Sequence, residues 1–304
     1  MSLLKQSGMS VRAVVAAFLA IVLVSAAPYP MRALAQNGPQ GPEQGALRQQ
    51  TWLVPSQQPG LPMHTTVFRP PGAGPFPLVV INHGSTASEA ARAGRAPSVF
   101  LPAAEFFVQR GYAVAVPQRP GHGETGGPYL EGNYGQGCAA ADYRRSGDAA
   151  ADSIAAAIAY MAAQPFVRRV PVLVVGQSAG GWGALALAGR NPKDVRAVIN
   201  FAGGRGRHVN GRPNNNCAPE KLVAAAAHFG AAARIQVLSI YTENDSYFAP
   251  ALSTQVNAAF TKAGGRVEFH LLPAFGRDGH NLFPARDGVP VWGPIVDAFL
   301  KNLK

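Results

Sequence analysis

A chain of 304 residues with 47% hydrophobic and 14% charged side chains can bury one large core, which excludes a disordered or fibrous protein. Its formal charge of +11 is scattered apart from Arg205, Arg207 and Arg212 with His208, and no aromatic residues interleave with that group. Nucleic acid is therefore not an expected partner; the basic group reads first as a solvated loop and second as an attractor of anionic substrates or envelope surfaces.

The N-terminus comes first. Lys5 and Arg12 precede an uncharged apolar stretch from Ala13 to Val24, and Ala33-Leu34-Ala35 fits a cleavage site, with a second candidate cut after Ala27. Residues 1–35 thus read as a secretory signal peptide. Twelve apolar residues are short for a span that needs about 20, so no stable membrane insertion is expected after cleavage, with an uncleaved anchor as the alternative. Removing the three basic residues of the leader leaves the remainder basic, at +8. Export implies an oxidising compartment, periplasmic or extracellular. Cys138 and Cys217 are the only cysteines, and a disulfide between them is expected, with two unpaired thiols as the alternative. Neither has a second Cys or a His at ligand spacing, so no metal is expected.

Residues 36–50, rich in Gln, Gly and Pro, read as a flexible linker, with order beginning near Thr51. Two short extended segments are expected at 51–55 and 62–69. Apolar runs of strand length follow at 76–84, 112–117, 170–176, 195–203, 235–243 and 267–275. Helical candidates lie between and after them at 98–110, 142–163, 179–190, 221–233, 251–264 and 292–303. Continuously apolar strands are those buried on both faces, and helical crossovers between them imply a parallel sheet. The expected fold is a three-layer α/β sandwich in one domain, 51–304, opened by two antiparallel strands. The connections 118–141 and 204–220 exceed what this architecture needs and follow strand C-termini, where open α/β sheets bind ligands. Each holds one cysteine, so a disulfide would staple two rim loops above the site.

Gly176-Gln177-Ser178-Ala179-Gly180 follows an apolar strand and opens a helix. This is the setting of a nucleophile elbow, whose turn is so tight that the residues two before and two after the serine must be small. A phosphate loop is disfavoured because Gly181 is followed by Trp182, not by Lys. A serine hydroxyl needs a positioned base and an orienting carboxylate. Asp245 lies just past the strand run 235–243, and His280 lies in the loop after the last run, giving the order Ser178, Asp245, His280. Asp278 and Glu243 are the rival carboxylates. His83-Gly84-Ser85, after the first long strand, nominates the Ser85 amide to join that of Ala179 as an oxyanion donor. His83 is expected to organise that loop. His122, in Gly-His-Gly-Glu, and Tyr129, Tyr134, Trp182 and Tyr247 are candidates for lining the pocket, ordinary packing being the alternative for each.

These motifs together resemble the α/β-hydrolase superfamily, most closely its dienelactone-hydrolase-like and serine esterase members, over about residues 51–304. Dienelactone hydrolases proper carry a cysteine nucleophile where this chain has Ser178, so their lactone substrate is not carried over. The resemblance implies an α/β-hydrolase fold without a large lid domain. It also implies hydrolysis of a small-molecule carboxylic ester through an acyl-serine, with no cofactor. A peptidase or amidase like the prolyl oligopeptidases, and a non-catalytic binding protein on the same scaffold, are the alternatives. No propeller-like segment accompanies the catalytic one in this sequence, which weighs against the peptidase.

Overall fold

The computed structural model describes residues 36–132 and 137–303. The leader, its candidate cuts after Ala27 and Ala35, and Tyr134 lie outside them. Among the described residues, nine strands form one sheet in the order β1-β2-β3-β5-β4-β6-β7-β8-β9. They are β1 (Gly38–Gln44), β2 (Gln49–Pro55), β3 (Pro62–Phe68), β4 (Leu78–Asn82), β5 (Ala113–Pro117), β6 (Val172–Gln177), β7 (Val195–Phe201), β8 (Gln236–Thr242) and β9 (Arg266–Leu272). The helices are α1 (Glu89–Ala93), α2 (Leu101–Gln109), α3 (Tyr143–Ala162), α4 (Ala179–Gly189), α5 (Pro219–Ala232), α6 (Pro250–Lys262) and α7 (Val289–Asn302). Pairing is antiparallel from β1 through β3 to β5 and parallel from β5 through β4 to β9.

The inner parallel strands β4, β5 and β6 are almost wholly apolar because successive side chains feed opposite cores, whereas the edge strand β9 alternates Arg266, Glu268 and His270 with Val267, Phe269 and Leu271. Val79 and Ile81 of β4, with Leu173 and Val175 of β6, join Phe106 of α2 and Trp292 of α7 on one face. Val80 and Val174 join Ile154 of α3, Trp182 of α4, Phe229 of α5 and Val256 of α6 on the other. Complete burial, as at Phe107 and Trp292, contributes about 1.5–3 kcal/mol per large side chain. Helix starts have local causes. Asp142 accepts from the Arg145 amide at 2.9 Å to cap α3, and α2, α5, α6 and α7 carry proline in their first turn, where a missing N–H costs nothing.

The linker expected at 36–50 is corrected: β1 and the start of β2 occupy it. The sheet therefore opens with three antiparallel strands, not two. Gly-Pro-Gln-Gly-Pro-Glu-Gln has no apolar alternation because, as an edge strand with mostly exposed side chains, β1 is held by main-chain pairing to β2. Ion pairs from Arg48 and Arg69 to Glu43 tie its far end down. Helix α1 was not foreseen either; at five residues it is too short to show a period. Among the described residues, no helix is long and apolar enough to cross a membrane.

Strands β4 and β6 are neighbours, but the connection after β4 runs to β5 on one side and that after β6 runs to β7 on the other. At such a switch point the loops beyond neighbouring strand ends part and leave a crevice. The loop after β4, the turn after β6 and the loops after β8 and β9 all emerge at that end of the sheet.

Candidate active site

Ser178 sits between β6 and α4 at φ 56° and ψ −121°, a backbone conformation that costs a non-glycine residue about 1–3 kcal/mol. Close approach fixes its neighbours. A Cβ on Gly180 would overlap the carbonyl oxygen of Asn82, and one on Gly176 would overlap the main chain of Gly180. Ser178 occupies the N-cap position of α4, yet its side chain makes no capping bond. Its hydroxyl is thereby left to the cavity that it lines.

Gly84 lies so close to this turn that a Cβ would meet Gln177 Oε1 at 2.7 Å and Ser178 Cβ at 3.0 Å. His83 holds the loop as expected of it. The Arg119 amide donates to His83 Nε2 at 3.0 Å, so the proton sits on Nδ1, which donates to the Gly84 carbonyl at 2.6 Å. Burial first, with the positive charge of Arg119 behind it, drives the His83 pKa well below that of a free imidazole. Among the described residues the Ser85 amide has no acceptor, and Ala179 opens α4, where amides lack intrahelical partners. Both residues line the cavity beside Ser178.

His280 is 8% exposed, and its Nδ1 lies 3.1 and 3.0 Å from the two carboxylate oxygens of Asp245. Asp245 is buried, and its Oδ1 also accepts from the amides of Tyr247 at 2.8 Å and Phe248 at 2.9 Å. With the proton on Nδ1 directed at the carboxylate, Nε2 keeps its lone pair. Gln177 Nε2 donates to the His280 carbonyl at 3.2 Å, which ties the serine turn to the histidine loop. Neither Ser178 Oγ nor His280 Nε2 has a hydrogen-bond partner among the described residues.

The rival Asp278 does different work. Its carboxylate accepts from the Ser246 hydroxyl at 2.7 Å and from the Ser246 and His280 amides at 3.0 Å, so it shapes the loop and leaves the imidazole to Asp245. Partial burial opposes its ionisation, but these donors hold its pKa below the usual carboxylate value. Glu243 is exposed, and its amide donates to the Leu272 carbonyl at 2.9 Å.

The cavity, about 500 Å³, is walled by Tyr129, Tyr247 and Phe248 together with Arg92, Arg205 and Arg207. Two of the expected wall residues are corrected. Trp182 is fully buried, donates to the Tyr143 carbonyl at 2.7 Å and meets Phe229 edge-on, because it falls on the inward side of α4. His122 is also fully buried and lies behind the wall. Its Nδ1 faces the carbonyls of Arg119 and Pro120, and its Nε2 meets Ser85 Oγ at 2.8 Å. Tyr247 does line the cavity, stacked on His208 and 4.6 Å from the His280 ring centre.

The basic group expected to be a solvated loop is corrected at Arg205, which is 7% exposed. Arg205 pairs with Glu131 at 3.3 Å, donates to the Glu131 carbonyl, and donates to the Tyr129 hydroxyl at 2.8 Å. Arg119 binds the same carboxylate at 2.5 Å. Burial raises the Glu131 pKa, but the two guanidinium groups overcome it and bring it to about 2. A disulfide joins Cys138 to Cys217. Tyr129 lines the cavity, as the sequence suggested. Arg92 and Glu131 were not singled out in the sequence, because α1 is too short to show a period and the partners of Glu131 come from Arg119 and Arg205, one of them 74 residues away. Loop length was the signal available. No cluster of three or more His, Cys, Asp or Glu among the described residues could hold a metal.

The sheet order and the strained serine turn define an α/β-hydrolase. More narrowly, the chain belongs to the family described as serine aminopeptidase, S33, which it matches over residues 77–270. No curated protein matches its sequence. Solved structures share the fold at low identity. A candidate dienelactone hydrolase from Klebsiella pneumoniae is 16% identical, with a TM-score of 0.52, covering 81% of this chain and 95% of that one. An esterase from Pyrococcus furiosus is 13% identical, with a TM-score of 0.58, covering 88% and 98%. An acylaminoacyl peptidase from Pyrococcus horikoshii is 14% identical, with a TM-score of 0.60, covering 86% of this chain but 42% of that one.

Proposed function

We propose that this chain is an exported serine esterase in which Ser178, His280 and Asp245 form a catalytic triad. The observation that carries the reading is the buried Asp245 carboxylate fixed on His280 Nδ1, which leaves Nε2 basic beside the strained serine turn. In the reacting complex, His280 Nε2 takes the Ser178 proton as Oγ attacks the ester carbonyl. The serine–histidine hydrogen bond forms on substrate binding, since such bonds are often made fully only in the reacting complex. The oxyanion accepts from the amides of Ser85 and Ala179. Collapse breaks the bond from the acyl carbon to the alkoxy oxygen, and His280 returns the proton to the departing alcohol. Water then attacks the acyl-serine with His280 as base, releasing the acid and restoring the serine. Asp245 fixes the tautomer throughout and stabilises the imidazolium.

The cavity is framed by loops and holds the volume of a small ester. Export is supported by the disulfide, which suits an oxidising compartment. Cell fractionation that finds the protein solely in the cytosol would remove it. A fluorophosphonate probe should label wild-type protein and spare Ser178→Ala, and 4-nitrophenyl butyrate hydrolysis should be lost with the label. Labelling that survives Ser178→Ala removes the nucleophile. The family description favours a second reading, release of N-terminal amino acids from peptides. Faster turnover of aminoacyl 4-nitroanilides than of esters would establish it.

A further inference from the structure

We infer that the Ser178 cavity selects esters whose acyl part carries a carboxylate, and that Arg92 binds this carboxylate. The inference rests on the esterase reading and narrows its substrate class. Arg92, Arg205 and Arg207 line the cavity with His208, and no Asp or Glu does. Arg205 already shares Glu131 with Arg119, so two buried guanidinium charges face one carboxylate. Among the described residues Arg92 forms no ion pair with a carboxylate.

Arg92 is 8% exposed. One of its terminal nitrogens, Nη1, donates to the carbonyls of Thr86 and Ala87, both at 2.9 Å, and its Nε is buried without a partner. The guanidinium carbon lies 3.8 Å from the Tyr129 ring centre. Glu89, one turn earlier on α1, is exposed, borders the neighbouring cavity and forms no ion pair with it among the described residues. Segments 1–35 and 133–136 contain no Asp or Glu side chain that could supply one. A buried cation with neither a counter-ion nor a full set of acceptors is costly, and a carboxylate ligand relieves that cost through charge-assisted hydrogen bonds.

Position completes the argument. Thr86 and Ala87 directly follow the Ser85 oxyanion donor, so Arg92 is anchored to the same loop that holds the reacting carbonyl. Ser85, Ser178 and Arg92 line one cavity, so an acyl chain ending in carboxylate held there can meet all three. The same field repels a free α-ammonium group, which sets this cavity against the N-terminal amino acid substrates that the family's description implies.

The test compares 4-nitrophenyl hemiglutarate with 4-nitrophenyl valerate, which differ in the terminal carboxylate. Wild-type protein should show kcat/KM at least about tenfold higher for the hemiglutarate, the fold-change of one charged hydrogen bond. In Arg92→Gln that ratio should fall to about one, and in Arg92→Lys it should lie between. Being a ratio within one preparation, it is insensitive to the fraction of folded protein. Should Arg92→Gln yield no active protein, free glutarate decides in the wild type: competitive inhibition of valerate hydrolysis that weakens with added salt supports the inference, and no inhibition overturns it. A wild-type ratio below about ten, or an unchanged ratio in Arg92→Gln, also overturns it and leaves the esterase intact. Failure of both esters together with loss of fluorophosphonate labelling at Ser178 would instead bring down the esterase reading itself.

Discussion

The serine turn and the rim loops above it are built on opposite principles. The turn from Gly176 to Gly180 is enforced by sterics between close neighbours: two missing side chains let β6, α4 and the end of β4 converge. The rim, from Arg119 to Cys138 and from Arg205 to Cys217, has few regular elements and is held by a disulfide and by charges distant in sequence. Local crowding makes the serine turn rigid, whereas the walls around it are set by pairings between separate segments.

Substitutions can break either half. Asp245→Asn should have the largest effect, lowering kcat by about 10⁴-fold on 4-nitrophenyl butyrate by favouring the wrong His280 tautomer. Asp278→Asn should cost far less, and equal losses in steady-state assays would undo the assignment of Asp245. Next is the rim staple. Its cysteines are 79 residues apart, so Cys138→Ser should lower unfolding free energy by about 4.5 kcal/mol in the chain-entropy model, measured by denaturant titration. Glu131→Gln should cost roughly 3–5 kcal/mol by stranding Arg119 and Arg205, whereas a change below about 1 kcal/mol would show the network to be dispensable. Gly180→Ala forces a Cβ into the Asn82 carbonyl and should cost roughly 3 kcal/mol, read as a fall in melting temperature together with lost fluorophosphonate labelling.

The smallest effect should appear only in acid. Burial first, with Arg119 and Arg95 against an opposing Glu131, lowers the His122 pKa to about 4. An unfolded imidazole titrates near 6.5, so between these values the unfolded chain binds the extra proton and stability falls as pH falls. The total is on the order of 3 kcal/mol, complete below pH ~4 and absent above ~6.5. His122→Asn should flatten that part of the pH profile; parallel wild-type and variant profiles would exclude His122 as its source.

The parallel strands, their crossover helices and the serine turn are legible in the sequence, because apolar runs and glycine spacing are local consequences of burial and steric contact. The sequence also nominated Asp245 and His280 by their place after strands. What it lacked was everything whose cause lies far along the chain. β1 is invisible in Gly-Pro-Gln-Gly-Pro-Glu-Gln because its stability comes from pairing with β2. Trp182 and His122 read as candidate pocket walls, but α4 packs Trp182 against Tyr143 and Phe229, and the turn after β5 buries His122. Only tertiary structure could decide that Arg92, Tyr129, Glu131 and Arg205 meet. Long-range electrostatics leaves no periodicity in a sequence, and the charge of this cavity is set by which carboxylates the folded chain brings to its arginines and which it leaves away.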